Sequence, residues 1–295
     1  MLLKVFEAEG TDAYRLCTID DGWAERFGPD ILILHKTKMA RERLLLQLVF
    51  WRTSVGFELG RVFARDLPKK NEERATPKLV EGEAGESLKA IAREQGLKYA
   101  IDFAAGYSVG LFVDQRENRR FVRQTKPKRL LNCFAYTCSF SVAAASTGAQ
   151  TVSIDLSKKS LGRGKENFVL NNLGTDTHRF VADDVMTVLP RLARKGEKFD
   201  MIILDPPTFS RSHGGKVFHV ERDYETLLAT ALEVASPNAC VLLSTNYSHL
   251  HEKALEAMAR YCLKQKKRAA EFHRQPHPVD FPSGVGASTI WLSLH

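Results

Sequence analysis

The sequence predicts an α/β protein with a doubly wound, mainly parallel sheet of seven strands, preceded by a small α+β N-terminal domain. After about residue 125, short apolar runs alternate with segments of helical periodicity, as in strands joined by crossover helices. The later runs, such as Phe199–Leu204, are continuously apolar, which is typical of strands covered on both faces. A length of 295 residues allows two domains, which we predict at 1–105 and 106–295.

The first domain opens with strand-like segments. We interpret residues 1–35 as short strands, because Ala13–Thr18 and Ile31–His35 are rich in apolar residues. Turn signals lie between them, at Asp20-Asp21-Gly22 and at Gly28-Pro29-Asp30.

A helix and a hairpin follow. Apolar residues in Lys38–Val55 fit a 3.6-residue period, and Gly56 ends the predicted helix. Residues 65–86 are dense in charge and poor in large apolar side chains, which favours an exposed, mobile loop or hairpin tip. Residues 88–94 and 97–103, joined by Gln95-Gly96, have the pattern of a β-hairpin.

The second domain carries the alternation that defines the fold class. Its seven strands are predicted over residues 129–134, 151–156, 179–182, 199–204, 239–245, 268–273 and 288–294. Helices are predicted between them, near residues 138–147, 157–172, 184–195, 221–235 and 249–265.

Composition excludes several classes of protein. The longest apolar stretches are too short to span a bilayer, and charges interrupt the N-terminal segment, so we expect neither a membrane protein nor a signal peptide. The five cysteines are an odd number without a CxxC pair, which favours reduced thiols in the cytoplasm and no metal site. The oligomeric state stays open.

The net charge of +8 is uneven. Residues 1–105 carry 17 Lys/Arg and 17 Asp/Glu, whereas residues 106–295 carry 26 and 18 and supply the whole excess. Because Lys and Arg displace counterions from phosphates, a basic second domain fits a nucleic-acid partner, although a merely soluble basic surface would look the same.

Polar residues recur where four successive predicted strands end, the edge at which such sheets bind ligands. The turn after the first strand, from Asn132 to Ser139, would lie under a methionine moiety. Asp155 could accept hydrogen bonds from two ribose hydroxyls, and Asp183 or Asp184 from an adenine amine. Together they favour S-adenosylmethionine. The predicted cofactor-binding residues of this domain are Asn132, Phe134, Ala135, Tyr136, Thr137, Asp155, Leu156, Ser157, Asp183, Asp184, Val185 and Asp205.

Each feature also has a plain structural interpretation. Asp184 could be a helix N-cap, Tyr136 a core residue, and Asp205-Pro206-Pro207 a rigid turn. A dinucleotide oxidoreductase is the nearest rival, but it should show G-x-G-x-x-G after the first strand, and no glycine occurs between Gly110 and Gly148.

The motifs resemble those of the bacterial S-adenosylmethionine-dependent ribosomal RNA methyltransferases over about residues 10–295. The resemblance is carried by Gly110-Leu-Phe-Val-Asp-Gln-Arg116 together with Asn132–Thr137, Asp155-Leu-Ser157, Asp183-Asp-Val185 and Asp205-Pro-Pro207. It implies a Rossmann-like class I methyltransferase fold and an RNA substrate. It also implies that Phe112, Asp114 and Arg116 line the cofactor site, where the arginine could pair with the cofactor's carboxylate.

Two branches of this family compete. One makes 5-methylcytosine, and the other resembles the guanine-N7 methyltransferase half of a bacterial fusion enzyme acting on 23S ribosomal RNA. The segments Asp205–Ser212, Phe218–Asp223 and Ser244–Asn246 are more similar to the guanine branch.

Chemistry favours the same branch. Cytosine carbon 5 is a poor nucleophile and is activated by a cysteine that adds at carbon 6. The cytosine branch carries that cysteine just after the fifth strand, where this chain has Thr245. Cys240 lies inside the predicted strand and is expected in the core. Guanine N7 has an exposed lone pair and needs only alignment with the methyl group. The predicted catalytic residues are Asp205 with the backbone of Pro206 and Pro207, which would hold the base edge, and Phe209, which would stack on the base unless it is a core residue.

Three features depart from the family pattern. Cys138 replaces a usual glycine next to the methionine moiety and could crowd the cofactor. Gly162 and Gly164 lie inside a predicted helix, where glycine is unfavourable. Many relatives also carry an RNA-binding module ahead of the segment that starts at residue 10, so residues 1–105 would have to help bind RNA.

Three alternatives stay open. They are a ribosomal RNA 5-methylcytosine or other base N-methyltransferase, an RNA-binding assembly factor with weakened catalysis, which Cys138 motivates, and a methyltransferase for a small molecule or protein. The predicted phosphate contacts, which could equally be a solvated linker face, are Arg119, Arg120, Arg123, Lys126, Lys128, Arg129, Arg211 and Lys216.

Overall fold

A computed structural model describes residues 2–55, 58–67, 75–85, 87–105, 108–211, 214–215 and 217–295. The chain divides into two compact units, Met1–Arg116 with Pro278–Val285, and Glu117–His277 with Gly286–His295. This division falls after Arg116, whereas the sequence predicted it after residue 105. The later segment joins the first unit because Asp280 there forms an ion pair with the buried Arg116.

The first unit is built on a five-stranded sheet in the order β1-β2-β3-β4-β5, in which only β3 and β4 are parallel. A separate hairpin pairs β6 with β7. Its elements are α1 (Leu2–Ala8), β1 (Ala13–Ile19), β2 (Gly22–Phe27), β3 (Asp30–His35), α2 (Lys38–Val55), β4 (Val62–Asp66), β5 (Lys78–Glu81), β6 (Lys89–Glu94), β7 (Leu97–Asp102) and a 3₁₀ turn at Val113–Gln115.

The structure confirms the helix over 38–55 and the hairpin near 88–103. The interpretation of residues 1–35 as strands alone was wrong, because Leu2–Ala8 is a helix whose Phe6 stacks on Tyr14 with ring centroids 4.6 Å apart. The charged segment 65–86 contains strand β5, which pairs antiparallel with β4. Its residues 68–74 and 86 lie outside the described residues.

The second unit contains the predicted seven-stranded sheet, in the order β10-β9-β8-β11-β14-β16-β15. Neighbouring strands from β10 to β14 are parallel, and β16 is antiparallel to both its neighbours. The elements are α3 (Arg116–Thr125), β8 (Arg129–Cys133), α4 (Ser139–Ala145), β9 (Gln150–Asp155), α5 (Lys158–Leu170), β10 (Arg179–Ala182), α6 (Val185–Arg194), β11 (Phe199–Leu204), β12 (Phe209–Arg211), β13 (Val217–His219), α7 (Val220–Val234), β14 (Ala235–Thr245), α8 (Glu252–Gln265), β15 (Ala270–His273) and β16 (Ser288–Leu294).

The sequence missed two elements of this unit. Helix α3 was not predicted, since its basic residues were interpreted only as phosphate contacts or a solvated linker face. Its Asn118 accepts a hydrogen bond from the indole of the fully buried Trp291 at 2.8 Å. Phe121 packs against the same ring, with centroids 4.6 Å apart. The other missed element is the hairpin of β12 and β13, where Phe209 pairs with His219.

The strand order reverses between β8 and β11, which is where a doubly wound sheet opens a crevice at its carboxyl edge. The strands end together there, since Leu204 pairs with Cys133 and Cys133 with Ile154. The residues that follow β8, β9 and β11 are therefore neighbours. No helix within the described ranges has both the length and the apolar character to cross a bilayer.

Candidate cofactor and acceptor site

The loop after β8 has an unusual backbone. Phe134, Tyr136 and Cys138 have positive φ angles of 60°, 46° and 60°, a conformation that costs side-chain-bearing residues about 1 kcal/mol or more each. The surroundings hold it in place. Ala135 N–H donates to the Ile154 carbonyl at 2.9 Å, and the Asn167 amide donates to the Thr137 carbonyl at 2.9 Å.

Asp155 lies at the end of β9 beside this loop. Its two oxygens accept the backbone N–H groups of Tyr136 and Ser157, each at 2.8 Å. Burial raises the pKa of Asp155, and these two hydrogen bonds oppose that shift. A carboxylate has about four acceptor positions, so two lone pairs stay available for a ribose diol. This chemistry fits the adenosyl group that the sequence predicted here.

Asn132 supports the loop from below. Its amide donates to Ser141 Oγ at 2.9 Å, and Ser141 Oγ lies 2.8 Å from Ser153 Oγ. These three buried polar side chains link β8, α4 and β9 under the Phe134–Cys138 loop. The hydrogen bonds give Asn132 a positioning role in addition to the cofactor contact that was predicted for it.

The residues after β9 and β10 are mostly engaged in starting helices. Ser157 caps α5, accepting the Ser160 N–H at 3.1 Å, and Asp184 caps α6, accepting the Met186 N–H at 3.0 Å. Asp183 is half-exposed and accepts from the Arg191 guanidinium at 2.8 Å. Its other oxygen accepts the Asp184 N–H at 2.8 Å, so both aspartates have partners within the protein, and their contacts with an adenine amine stay predictions.

The last two predicted residues of these turns differ in burial. Val185 belongs to the buried core of the unit, whereas Leu156 is half-buried at the edge where the cofactor is expected. Any contact of Val185 with the cofactor would be made by its backbone, and the cofactor contacts of both residues stay predictions.

Cys138 is accommodated by Gly164 of α5. A Cβ at Gly164 would lie 2.5 Å from Cys138 Sγ and 3.0 Å from Cys138 Cβ, distances that side chains do not tolerate. The thiol is buried and packs into the space that this glycine leaves. At Gly162 an added Cβ would meet nothing within 4 Å, so we find no packing reason for that glycine.

The three residues implied by the Gly-Leu-Phe motif belong to the first unit. Arg116 is fully buried there, with its guanidinium 3.2 Å from Asp280 Oδ2 and 4.7 Å from the Phe6 ring centroid. The guanidinium thus pairs with a carboxylate of the protein itself. The cofactor contacts of Phe112, Asp114 and Arg116 stay predictions.

The Asp205-Pro206-Pro207 turn follows β11. The carbonyl of Leu204, which precedes it, accepts a hydrogen bond from the buried Tyr224 hydroxyl at 2.8 Å. The Tyr224 hydroxyl oxygen in turn accepts the Ser244 N–H at 2.9 Å. Burial, with the Asp205 carboxylate, raises the pKa of Tyr224 well above its ordinary value, so the phenol stays protonated. Sequence reasoning missed Tyr224, which joins the ends of β11 and β14; a tyrosine on an apolar helix face gives no signal of this.

A cavity of about 260 Å³ adjoins the turn, lined by Thr208, His219, Val220, Glu221, Arg222 and Tyr247. The Tyr247 hydroxyl donates to Glu221 Oε2 at 2.8 Å. Phe209 is not a core residue, because 49% of it is exposed and its ring meets that of His219 with centroids 5.0 Å apart. Ser212 lies outside the described residues.

The cysteines are poor nucleophiles. Burial raises the pKa of Cys138 to about 12 and that of Cys262 to about 11, and it also raises the pKa values of Cys17, Cys133 and Cys240. Thr245, at the end of β14, is buried, and its hydroxyl accepts the Tyr247 N–H at 3.1 Å. Within the described ranges, no three or more His, Cys, Asp or Glu residues are grouped to hold a metal ion.

The predicted phosphate contacts fall into two groups. Arg119 was wrongly assigned, because it is only 1% exposed and its guanidinium lies against Phe140. Arg129 is tied to Glu197 at 3.0 Å. The remaining described candidates are half-buried (Arg120 and Arg123) or exposed (Lys126, Lys128 and Arg211), and Lys216 lies outside the described residues.

Proteins named as ribosomal RNA large subunit methyltransferases are similar to this chain. The chain is similar to Ribosomal RNA large subunit methyltransferase I of Aeromonas salmonicida, with 37% identity over 56% of this chain and 42% of the relative. It is also similar to Ribosomal RNA large subunit methyltransferase K/L of Shewanella sp. (strain MR-4), with 29% identity over 100% of this chain and 42% of the relative. The matches therefore span less than half the length of these curated relatives.

A solved structure and a family match complete the comparison. The crystal structure of SMU.776 complexed with SAH superposes with a TM-score of 0.84 and 26% sequence identity, covering 99% of this chain and 77% of that chain. Residues 53–287 match a family described as S-adenosylmethionine-dependent methyltransferase. The chain belongs to the S-adenosylmethionine-dependent methyltransferase family, and S-adenosylmethionine is its cofactor.

Proposed function

We propose that the chain methylates guanine N7 of 23S ribosomal RNA without a covalent cysteine intermediate. The observation that carries this is the carboxyl end of β14, where the buried Thr245 occupies the place of a nucleophilic cysteine. The thiols of the chain have raised pKa values, so none is activated for attack on a cytosine ring.

The turn after β11 suits an acceptor that needs no proton removed. Pro206 and Pro207 have no backbone N–H, so they cannot donate a hydrogen bond to the N7 lone pair and occupy it. The cofactor's sulfonium supplies the electrophilic methyl group. The protein's part is to align the lone pair with that methyl group, with Asp205 and the turn at the base edge and the exposed Phe209 ring on the base face.

Ribosomal RNA is proposed as substrate from two independent supports. The curated relatives are named as ribosomal RNA large subunit methyltransferases. The charge excess of the chain also lies after residue 105, and Lys126, Lys128 and Arg211 expose their side chains there. Such a substrate implies the cytoplasmic location that composition predicted.

The test uses labelled S-adenosylmethionine, the purified chain and protein-free 23S ribosomal RNA, followed by digestion to nucleosides. The expected product is 7-methylguanosine. A yield of 5-methylcytidine would refute both the base and the mechanism. N2-methylguanosine or N6-methyladenosine would support the second candidate, an amine methyltransferase, because the carbonyls of an Asp-Pro-Pro turn can also accept from an amine.

The alternative of an assembly factor with weakened catalysis rested on Cys138. The fit between Cys138 and Gly164 removes the crowding that motivated it. Calorimetry discriminates the two: an active enzyme should bind S-adenosylmethionine, and the Asp155→Ala variant should lose that binding. Undetectable binding by the unmodified chain would favour the assembly factor.

A further inference from the structure

The cavity beside the Asp-Pro-Pro turn has the size and position of an acceptor-base pocket. Its volume of about 260 Å³ is below the range of roughly 300–1,000 Å³ that drug-sized ligands occupy, so it suits one base. The Val220 N–H donates to the Thr208 carbonyl at 3.1 Å, which fixes the start of α7 to the residue directly after Pro207. The cavity is therefore attached to the turn that holds the acceptor.

Glu221 is the acidic group of this cavity, and its orientation is set. Tyr247, reaching across from the segment after β14, donates its hydroxyl to Glu221 Oε2 at 2.8 Å. An acidic residue in the first turn of a helix commonly serves the helix terminus. Here Asp223 does so, since its Oδ2 accepts the His219 N–H at 2.8 Å. Glu221 does not serve the helix terminus in this way; it is exposed and lines the cavity.

An ionised carboxylate accepts hydrogen bonds and donates none, which distinguishes the four bases. Only guanine presents two donors side by side, N1–H and the N2 amine, on its Watson–Crick edge. Adenine and cytosine pair one amine with a ring-nitrogen acceptor, and uracil flanks one N–H with two carbonyl oxygens. A two-point contact with a carboxylate therefore selects guanine.

We propose that Glu221 binds the Watson–Crick edge of the acceptor guanine in this cavity and is the residue that determines base specificity. This deepens the proposed function and rests on it. Because N7 lies on the opposite edge of the base, the contact leaves that lone pair exposed. It also occupies N1–H and the N2 amine, which directs methylation away from them. The His219 ring lines the cavity and the exposed Phe209 ring meets it edge-on, so the two provide an aromatic surface for stacking.

The test is a double-mutant cycle that combines the Glu221→Gln variant with removal of one amine group from the RNA. A fragment of 23S ribosomal RNA carrying the mapped acceptor is prepared with guanosine or with inosine, which lacks the N2 amine, at that position. Initial rates of methyl transfer give kcat/KM, and fluorescence anisotropy without cofactor gives the RNA Kd. The control is Glu225→Gln, which makes the same charge change at an exposed residue one turn along α7.

With the unmodified enzyme, inosine should lower kcat/KM by about 10- to 100-fold, the effect of one hydrogen bond to a charged group. Glu221→Gln should lower it similarly on guanosine RNA, and inosine should then cause little further loss. The RNA Kd should weaken in the same variant. Glu225→Gln should keep the rate, the RNA Kd and the inosine penalty of the unmodified enzyme. Tyr247→Phe should give a smaller loss than Glu221→Gln, because the carboxylate is still present.

Equal rates on guanosine and inosine RNA would overturn the proposal, and so would an undiminished inosine penalty in Glu221→Gln. In both cases 7-methylguanosine would still form, so the proposed function would survive. Methylation of a base other than guanine would instead overturn the proposed function and this inference together.

Discussion

The packing of Cys138 against Gly164 predicts a stability difference between two glycines of the same helix. Gly162→Ala adds a methyl group in open space, so it should stabilise the second unit by about 1 kcal/mol through helix propensity. Gly164→Ala gains the same propensity but places its Cβ 2.5 Å from Cys138 Sγ. Overpacking of this kind costs about 1–3 kcal/mol. The net change at Gly164 should therefore lie between about 0 and −2 kcal/mol.

A double-mutant cycle isolates the contact. Cys138→Gly removes both atoms that the new methyl group would meet, so Gly164→Ala should regain about 1–3 kcal/mol in that background. Urea titration followed by far-UV circular dichroism measures the free energy of unfolding of the four proteins. A coupling energy below about 0.5 kcal/mol, or equal effects of alanine at both glycines, would refute the packing argument.

Three further predictions follow from the site. Tyr224→Phe removes the buried hydrogen bonds that its hydroxyl makes with the backbone of Leu204 and Ser244, so urea titration should show a loss of about 1–3 kcal/mol. Asp155→Asn should weaken SAH binding by at least about 10-fold in calorimetry. In the unmodified protein the affinity should fall on acidification through the raised pKa of Asp155, whereas the variant should respond little. RNA containing 5-fluorocytidine should form no covalent adduct on a denaturing gel, since Thr245 replaces the nucleophile; an adduct would contradict the mechanism.

The raised pKa of Asp155 also predicts how stability depends on pH. Because the folded state binds the proton more tightly than the unfolded chain does, Asp155 makes its full contribution to the free energy of unfolding below the unfolded pKa. It is lost as the pH rises through the folded pKa. Urea titrations across that pH window should show the free energy of unfolding falling with rising pH in the unmodified protein but not in Asp155→Asn.

Periodicity was sufficient to predict the sheet of the second unit. Strands such as Phe199–Leu204 are apolar throughout, and the helices between them repeat every 3.6 residues, so local pattern and tertiary burial agree. Helix α3 escaped because its sequence is mostly charged or polar, and its burial depends on long-range contacts such as Asn118 with Trp291. Helix α1 escaped because it is short and has no acidic residue in its first turn; the stop signal at Gly10, whose φ is 64°, was overlooked.

The candidate site was predictable where residues follow strands, as Asp155 does. It was not predictable where a pair of distant residues decides the outcome. Cys138 and Gly164 each looked unfavourable alone, and only their contact explains both. Likewise, the Glu221–Tyr247 hydrogen bond joins residues 26 positions apart that no local pattern connects.

The central claim is transfer of a methyl group to guanine N7 of 23S ribosomal RNA. Its most direct test is nucleoside mass spectrometry of 23S ribosomal RNA from a strain that lacks this protein, with complementation by the unmodified chain or by Asp155→Asn. We predict loss of 7-methylguanosine at one position, restored by the unmodified chain and poorly by the variant. Unchanged 7-methylguanosine together with loss of 5-methylcytidine would contradict the account.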